Sequence, residues 1–325
     1  MKRRLIICDT TLREGEQSPG CTMLPHEKVG IAQMLEKLNV DVIEAGFAAS
    51  SPGDFLAIQT IAACVRKPVI SSFCRACEED IDAAAAALKN ARQGRIHVTF
   101  GTSETHLRYK FNMNQSQALD RVVLAVKYAA KHCSDIQFTA EDAGRTDRNF
   151  LIKAVRAAVK AGATTVNLAD TVGFLMPDEF GGLVKFVREK VVEFDHVRLS
   201  VHVHNDLGLA LASTLAAAEA GADQLECTIN GIGDRAGICA LEEMACVLKV
   251  RQDYYSSVRA DIHEEFLVPA SRMVAQCTGT RIPGYKSVVG SRARKSGLFL
   301  NSETTKSARE RSTDCYPPEV ILFSS

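Results

Sequence analysis

His202 and His204 stand two residues apart in the run Leu199-Ser200-Val201-His202-Val203-His204-Asn205-Asp206. Apolar and polar residues alternate through this run, which reads as a β-strand with a side-chain period of two. Both imidazoles then point to one face, their Cβ atoms roughly 6.5–7 Å apart, a spacing that lets both reach one cation. A lone strand histidine is ordinarily a hydrogen-bonded core residue. Two on one face, followed at once by Asn205-Asp206, point instead to a metal site. Two imidazoles with one carboxylate suit Mn²⁺, Mg²⁺ or Zn²⁺ and leave positions open for a substrate. Such an ion acts as a Lewis acid on a ketone or carboxylate oxygen.

Those histidines need a frame, and the rest of the chain supplies a repeating one. Short runs rich in β-branched residues read as strands over 4–9, 40–46, 68–73, 95–101, 135–140, 164–169, 198–204 and 223–229. Between them lie alanine-rich amphipathic stretches, 27–38, 81–89, 119–131, 150–161, 179–192 and 209–220, which read as helices because alanine is the strongest helix former. Gly162 and Gly221 stand where C-terminal caps belong. Strand–helix units without hairpin signals predict a parallel sheet, and eight of them predict a closed (β/α)8 TIM barrel. A doubly wound open sheet is the alternative, but no Gly-x-Gly-x-x-Gly follows the first strand. We place the barrel in residues 1–255 and a helical and irregular C-terminal extension, diverged or truncated, in 256–325. Residues 261–277 read as one more helix within it.

A barrel of this kind gathers its chemistry at the C-terminal ends of its strands. That rim would carry Asp9 through Gln17 after the first strand, Glu44 on the second, His97 and Thr99 on the fourth, and Thr139, Glu141 and Asp142 on the fifth. Asp170-Thr171 would come next on the sixth, the histidine pair on the seventh, and Asn230 to Gly237 after the eighth. Singly, each could be a loop cap or a solvated charge. Arg13, beside the candidate carboxylate, could hold developing negative charge on a substrate oxygen, or could simply form a rim salt bridge.

Bulk composition narrows the class. The 325 residues are 46% hydrophobic and 24% charged, ordinary for a soluble globular protein, and 39 basic side chains balance 39 acidic ones. No global field draws the chain to nucleic acid or a membrane surface. The apolar run after Met1-Lys2-Arg3-Arg4 stops at Asp9, too short for a signal peptide, and a cytoplasmic location is expected. Eleven cysteines are scattered, with one CxxC at Cys74–Cys77. It has no second pair to complete a zinc site, and the odd total suits free thiols.

Asp9-x-x-x-Arg13-Glu14 together with His202-x-His204 resembles the Asp-Arg-Glu-type metal-dependent TIM barrels that condense or cleave carbon–carbon bonds. These are the 2-isopropylmalate, homocitrate and citramalate synthases, with HMG-CoA lyase more distant. The resemblance runs from Ile6 to about Asp253. Glu44-Ala45-Gly46-Phe47, Ser51-Pro52-Gly53-Asp54-Phe55, Glu141 to Thr146 and Glu226 to Gly233 make it look most like the 2-isopropylmalate synthases. It implies condensation of acetyl-CoA with a 2-oxo acid and release of CoA, in a homodimer. Carried over by position, Glu14, His202 and His204 would bind the metal, and Arg13 would polarise the keto oxygen. His97, Thr139 and Thr171 would line the 2-oxo acid pocket, and Glu141 would stand near the proton transfers.

Three departures accompany the likeness. Glu14 stands where 2-isopropylmalate synthases usually have Asp, and Ile238 where the pattern ends in Asn; both choices look like homocitrate synthases. Ser296-Gly297-Leu298-Phe299 lacks the histidine of the corresponding Ser-Gly-Ile-His segment. No leucine-sensing domain is expected, and with it insensitivity to leucine. Phe73 favours a branched apolar substrate, 3-methyl-2-oxobutanoate, whereas Arg75 on the same face could hold the distal carboxylate of 2-oxoglutarate. A metal-binding paralogue with weak turnover is the reading from another class.

Overall fold

The computed structural model describes residues 2–191 and 196–293. Eight strands close into one parallel barrel in sequence order: β1 (Ile6–Asp9), β2 (Val42–Phe47), β3 (Val69–Arg75), β4 (Gly94–Gly101), β5 (Ile136–Glu141), β6 (Thr165–Asp170), β7 (Arg198–Val203) and β8 (Gln224–Cys227). β8 pairs back onto β1, with Cys8 opposite Glu226 and Asp9 opposite Cys227. The expected barrel is the observed one. His204 lies one residue beyond β7 and makes an isolated bridge to Ile238.

The connecting helices are α1 (Pro25–Lys37), α2 (Pro52–Cys64), α3 (Glu78–Ala87), α4 (Gln115–Ala129), α5 (Arg148–Ala161), α6 (Pro177–Lys190), α7 (Ala210–Glu219) and α8 (Leu241–Val250). Their starts follow local chemistry. Ser51 Oγ accepts from Asp54 N at 3.0 Å before α2, and Asp147 Oδ1 accepts from Phe150 N at 2.9 Å before α5. Pro25, Pro52 and Pro177 occupy first-turn positions where no amide partner is lost. α2 and α8 are absent from the helices that periodicity predicts. α2 opens on Ser51-Pro52-Gly53, which also reads as a turn.

Outward-facing Ile7, Ile43, Ile70, Val98, Phe138, Leu168, Val201 and Leu225 are buried against the helices in one core cluster. The barrel interior is different: it carries Arg95, Gln137, Ser200, Gln224 and Glu226, all buried, where such barrels are commonly filled by Val, Ile and Leu. Beyond α8, the two-residue strand Val258–Arg259 pairs with Arg3–Arg4. Helix α9 (Leu267–Thr278) starts six residues later than the sequence periodicity predicts, and its Leu267, Ala270 and Val274 join the same core. Ser296–Phe299 lie outside the described residues.

One polar group at the end of β1 shapes the turn beyond that strand. Asp9 Oδ1 accepts from Thr11 N at 2.9 Å, a side-chain-closed turn that leads into a single π-helical turn, Thr11–Gly15. Asp9 is wholly buried, and burial pushes its carboxyl up to about 7 from 3.8. A raised folded-state value means that this group's contribution is complete below about pH 4 and is lost as pH rises to about 7. Asp9→Asn should therefore flatten part of the stability–pH curve. Between those limits the wild type should lose up to about 1.4 kcal/mol per pH unit relative to the variant, read from urea midpoints. Parallel curves for the two proteins would contradict this assignment.

Candidate metal and substrate site

The turn after β1 delivers two charged side chains to the barrel mouth. Arg13 and Glu14 are both buried there. Arg13 Nε donates to Glu44 Oε2 at 2.6 Å, Nη1 donates to Glu14 Oε2, and Nη1 also reaches Gln17 Oε1 at 3.2 Å. Its guanidinium lies 4.8 Å over the Phe73 ring. Glu44, from β2, also accepts from Thr10 Oγ1 at 2.6 Å and pairs with His97 Nδ1. His97 Nε2 meets Thr139 Oγ1 at 2.6 Å, and Asn167 Nδ2 donates to that same hydroxyl at 3.0 Å.

The histidine pair sits across the mouth. His202 Nδ1 donates to Glu226 Oε2 at 2.8 Å, and His202 Nε2 lies 3.2 Å from His204 Nε2. His204 Nε2 is 3.7 Å from Glu14 Oε1. Ligand atoms from Glu14, His202 and His204 all lie within 4.8 Å of one another, and no other such group occurs among the described residues.

Electrostatics hold the Glu14 carboxylate ionised there. Burial works to raise the Glu14 carboxyl, but Arg13 and both imidazoles outweigh it and bring it to about 2. Glu44 also falls well below the usual carboxylate range: burial opposes this, and Arg13 and His97 overcome it. Burial pulls His202 down, yet Glu226 lifts it above its ordinary value. Burial and the neighbouring His202 bring His204 down to about 3. At neutral pH the group thus offers an ionised carboxylate and a neutral imidazole facing a second imidazole. That donor set fits a divalent cation.

All ten residues singled out from sequence line one cavity of about 600 Å³: Arg13, Glu14, Phe73, Arg75, His97, Thr139, Glu141, Thr171, His202 and His204. Asp9, part of the rim expected from sequence, is not among the lining residues. Phe47 and Phe73 meet edge to face at 5.4 Å and form an apolar wall. Lys110 Nζ holds both oxygens of Glu141 at 2.8 Å. Thr171 Oγ1 accepts from Asp142 N at 2.8 Å, so its hydroxyl also fixes the loop after β5. Arg75 does share the face of Phe73, but its guanidinium is bound to Asp80 at 2.7 and 2.9 Å. Ile238 is buried beside His204 and offers no ligand atom.

Sequence reasoning does not assign Glu226, Asn167 or Lys110, and it places Glu44 on the rim without a role. In Gln224-Leu225-Glu226-Cys227 the alternation is a usable signal that Glu226 faces inward. Cys74 and Cys77 stay free thiols, as do all the described cysteines. No helix among the described residues is long and apolar enough to cross a membrane.

The loop after β8 completes the mouth. Asp234 N donates to Glu14 Oε1 at 3.1 Å, and Gly237 O accepts from Asn205 N at 2.8 Å.

Comparison with known proteins gives a consistent picture. The HMGL-like family model matches residues 4–274. The chain is 48% identical to a 2-isopropylmalate synthase of Pyrococcus furiosus over 100% of its own length and 64% of that protein's. It is 47% identical to one of Aquifex aeolicus over 90% of this chain and 56% of that one. The chain thus spans about three-fifths of the length of the curated relatives it matches. Among solved structures, hydroxymethylglutaryl-CoA lyase from Pseudomonas aeruginosa has TM-score 0.73 at 19% identity, covering 93% of this chain and 98% of that one. At that identity the likeness speaks for the fold alone.

Gly237 has φ +80, and a Cβ there would lie 1.8 Å from Gly231 O. Gly237→Ala should lower stability by about 2 kcal/mol or more in urea titration. Mn²⁺ affinity should fall with it, as the loop that holds Glu14 shifts. An unchanged urea midpoint would contradict this account of the loop.

Proposed function

The chain belongs to the HMGL-like family, and on that premise we propose that it condenses acetyl-CoA with 3-methyl-2-oxobutanoate and releases CoA, as a 2-isopropylmalate synthase does. The observation that carries the proposal is the meeting of Arg13 with Glu14, His202 and His204 in one cavity. In this reading Glu14, His202 and His204 would hold a divalent cation, Mn²⁺ or Mg²⁺ in the first instance and Zn²⁺ in the second. When bound, that ion supplies Lewis-acid polarisation of the 2-oxo acid's oxygens.

The protein's own groups do the rest. His97 and Thr139 orient the 2-oxo acid within the cavity, with Thr171 closing its edge. Glu141, whose carboxylate Lys110 orients, serves the proton removed from the acetyl methyl group. The resulting carbanion attacks the keto carbon, one carbon–carbon bond forms, and the keto oxygen takes the charge. Arg13 faces that oxygen, where a fixed cation is worth most. Water then cleaves the thioester and CoA leaves as the thiol. The Phe47–Phe73 wall favours an isopropyl group. Asp80 already occupies the Arg75 guanidinium, which disfavours a second substrate carboxylate. We further propose a cytoplasmic homodimer, as the family resemblance implies.

CoA release, followed with a thiol reagent in the presence of Mn²⁺, tests this. 3-Methyl-2-oxobutanoate should give a kcat/KM at least about tenfold above 2-oxoglutarate, whose second carboxylate would be mispaired, and above pyruvate, which lacks two methyl groups to fill the apolar wall. Arg13→Ala should lower kcat by about 10²- to 10³-fold. A preference for 2-oxoglutarate would make it a homocitrate synthase instead. Mn²⁺ binding without turnover of any 2-oxo acid would make it a binding paralogue.

A further inference from the structure

A hydrogen-bonded column runs up the barrel interior from its floor to His202. It starts at Arg95 on β4, wholly buried, whose Nη2 donates to Asp135 Oδ2 at 3.1 Å. Arg95 Nη1 donates to Gln137 Oε1 at 3.1 Å and to Gln224 Oε1 at 2.8 Å. Gln224 Nε2 donates to that same Gln137 oxygen at 2.9 Å and to Ser200 Oγ at 2.9 Å. Two donors therefore converge on Gln137 Oε1.

This convergence fixes the Gln137 amide. A flipped amide would set its NH₂ against two donors, one of them a cation. Its Nε2 must point up the barrel, where it donates to Glu226 Oε1 at 2.6 Å. Glu226, wholly acceptor when ionised, keeps Oε2 for His202 Nδ1 at 2.8 Å. Nδ1 must then carry the hydrogen, and the Nε2 lone pair of His202 faces His204 and Glu14. The orientation of a guanidinium on the floor thus selects the tautomer of an imidazole at the mouth.

We propose that Glu226, aligned by Gln137 and Arg95, is a positioning residue that holds His202 in the orientation and tautomer needed to ligate a divalent cation through Nε2. The proposal rests on the reading that Glu14, His202 and His204 bind such an ion. Four strands contribute to the column, so a mouth residue is positioned by parts of the chain far from it in sequence. A carboxylate behind a ligating imidazole both orients the ring and raises its donor strength.

Mn²⁺ titration by calorimetry on chelator-treated protein tests this in two variants. Glu226→Gln has one acceptor oxygen for two donors, so its NH₂ must face either Gln137 Nε2 or His202 Nδ1. Glu226→Asp keeps the charge but is too short to span both partners. Each should bind Mn²⁺ about 10- to 100-fold more weakly than wild type, while circular dichroism of the metal-free proteins stays unchanged. Wild-type affinity in Glu226→Asp would mean that charge alone matters and would overturn the positioning role. Wild-type affinity in both would do so as well. If either variant fails to fold, nitrogen NMR of histidine-labelled wild type loaded with Zn²⁺ decides instead: His202 should be protonated at Nδ1 and ligated at Nε2. Ligation through Nδ1 would overturn the proposal. Failure of wild type to bind Mn²⁺ or Zn²⁺ at all would sink the underlying metal reading, and this inference with it.

Discussion

Arg13 lies between two buried carboxylates, and the rest of the site is arranged around that fact. Glu14 and Glu44 are 2% and 1% exposed, and a buried charge left without a partner costs roughly 3–5 kcal/mol. One guanidinium serves both, through Nη1 to Glu14 and Nε to Glu44. Held this way, Glu14 keeps its other oxygen for the mouth and for Asp234 N. Glu44 keeps Oε1 for His97, while Thr10 Oγ1 donates to the same Oε2 that Arg13 holds. The π-helical turn begun at Asp9 places Arg13 and Glu14 side by side in this slot.

Stability and chemistry are segregated by strand parity. Residues facing the helices are apolar and close-packed, and they carry the burial that holds the barrel together. Residues facing inward form a polar column whose groups must satisfy one another, because water cannot reach them. Such an interior offers little net stability, since half-satisfied buried networks are costly. What it offers is fixed direction: donors and acceptors whose orientation is set at the floor and expressed at the mouth.

Much of this is legible in the sequence because it depends on local periodicity. The spacing of His202 and His204 requires only the strand period, and eight alternating strands and helices require only counting. Glu14, the carboxylate that faces the pair, and its neighbour Arg13 come from a motif at a strand end. Glu226 and Asn167 are not legible in the same way. Each is one polar residue inside a strand, and its meaning lies in what faces it across the barrel. Arg75 illustrates the converse. Its placement on the face of Phe73 comes from parity, but its capture by Asp80 depends on α3 starting just after Cys77. The π-helical turn at Thr11–Gly15 has no periodic signature at all, being a single irregular turn closed by the Asp9 and Thr10 side chains.

The central claim is that Glu14, His202 and His204 form one metal centre beside Arg13. Anomalous diffraction at the manganese edge, from crystals grown with Mn²⁺ and 3-methyl-2-oxobutanoate, reads it directly. A single peak within bonding distance of Glu14 Oε1, His202 Nε2 and His204 Nε2, with the keto oxygen turned towards Arg13, is the predicted result. Manganese bound elsewhere, or no peak among these three side chains, would contradict it.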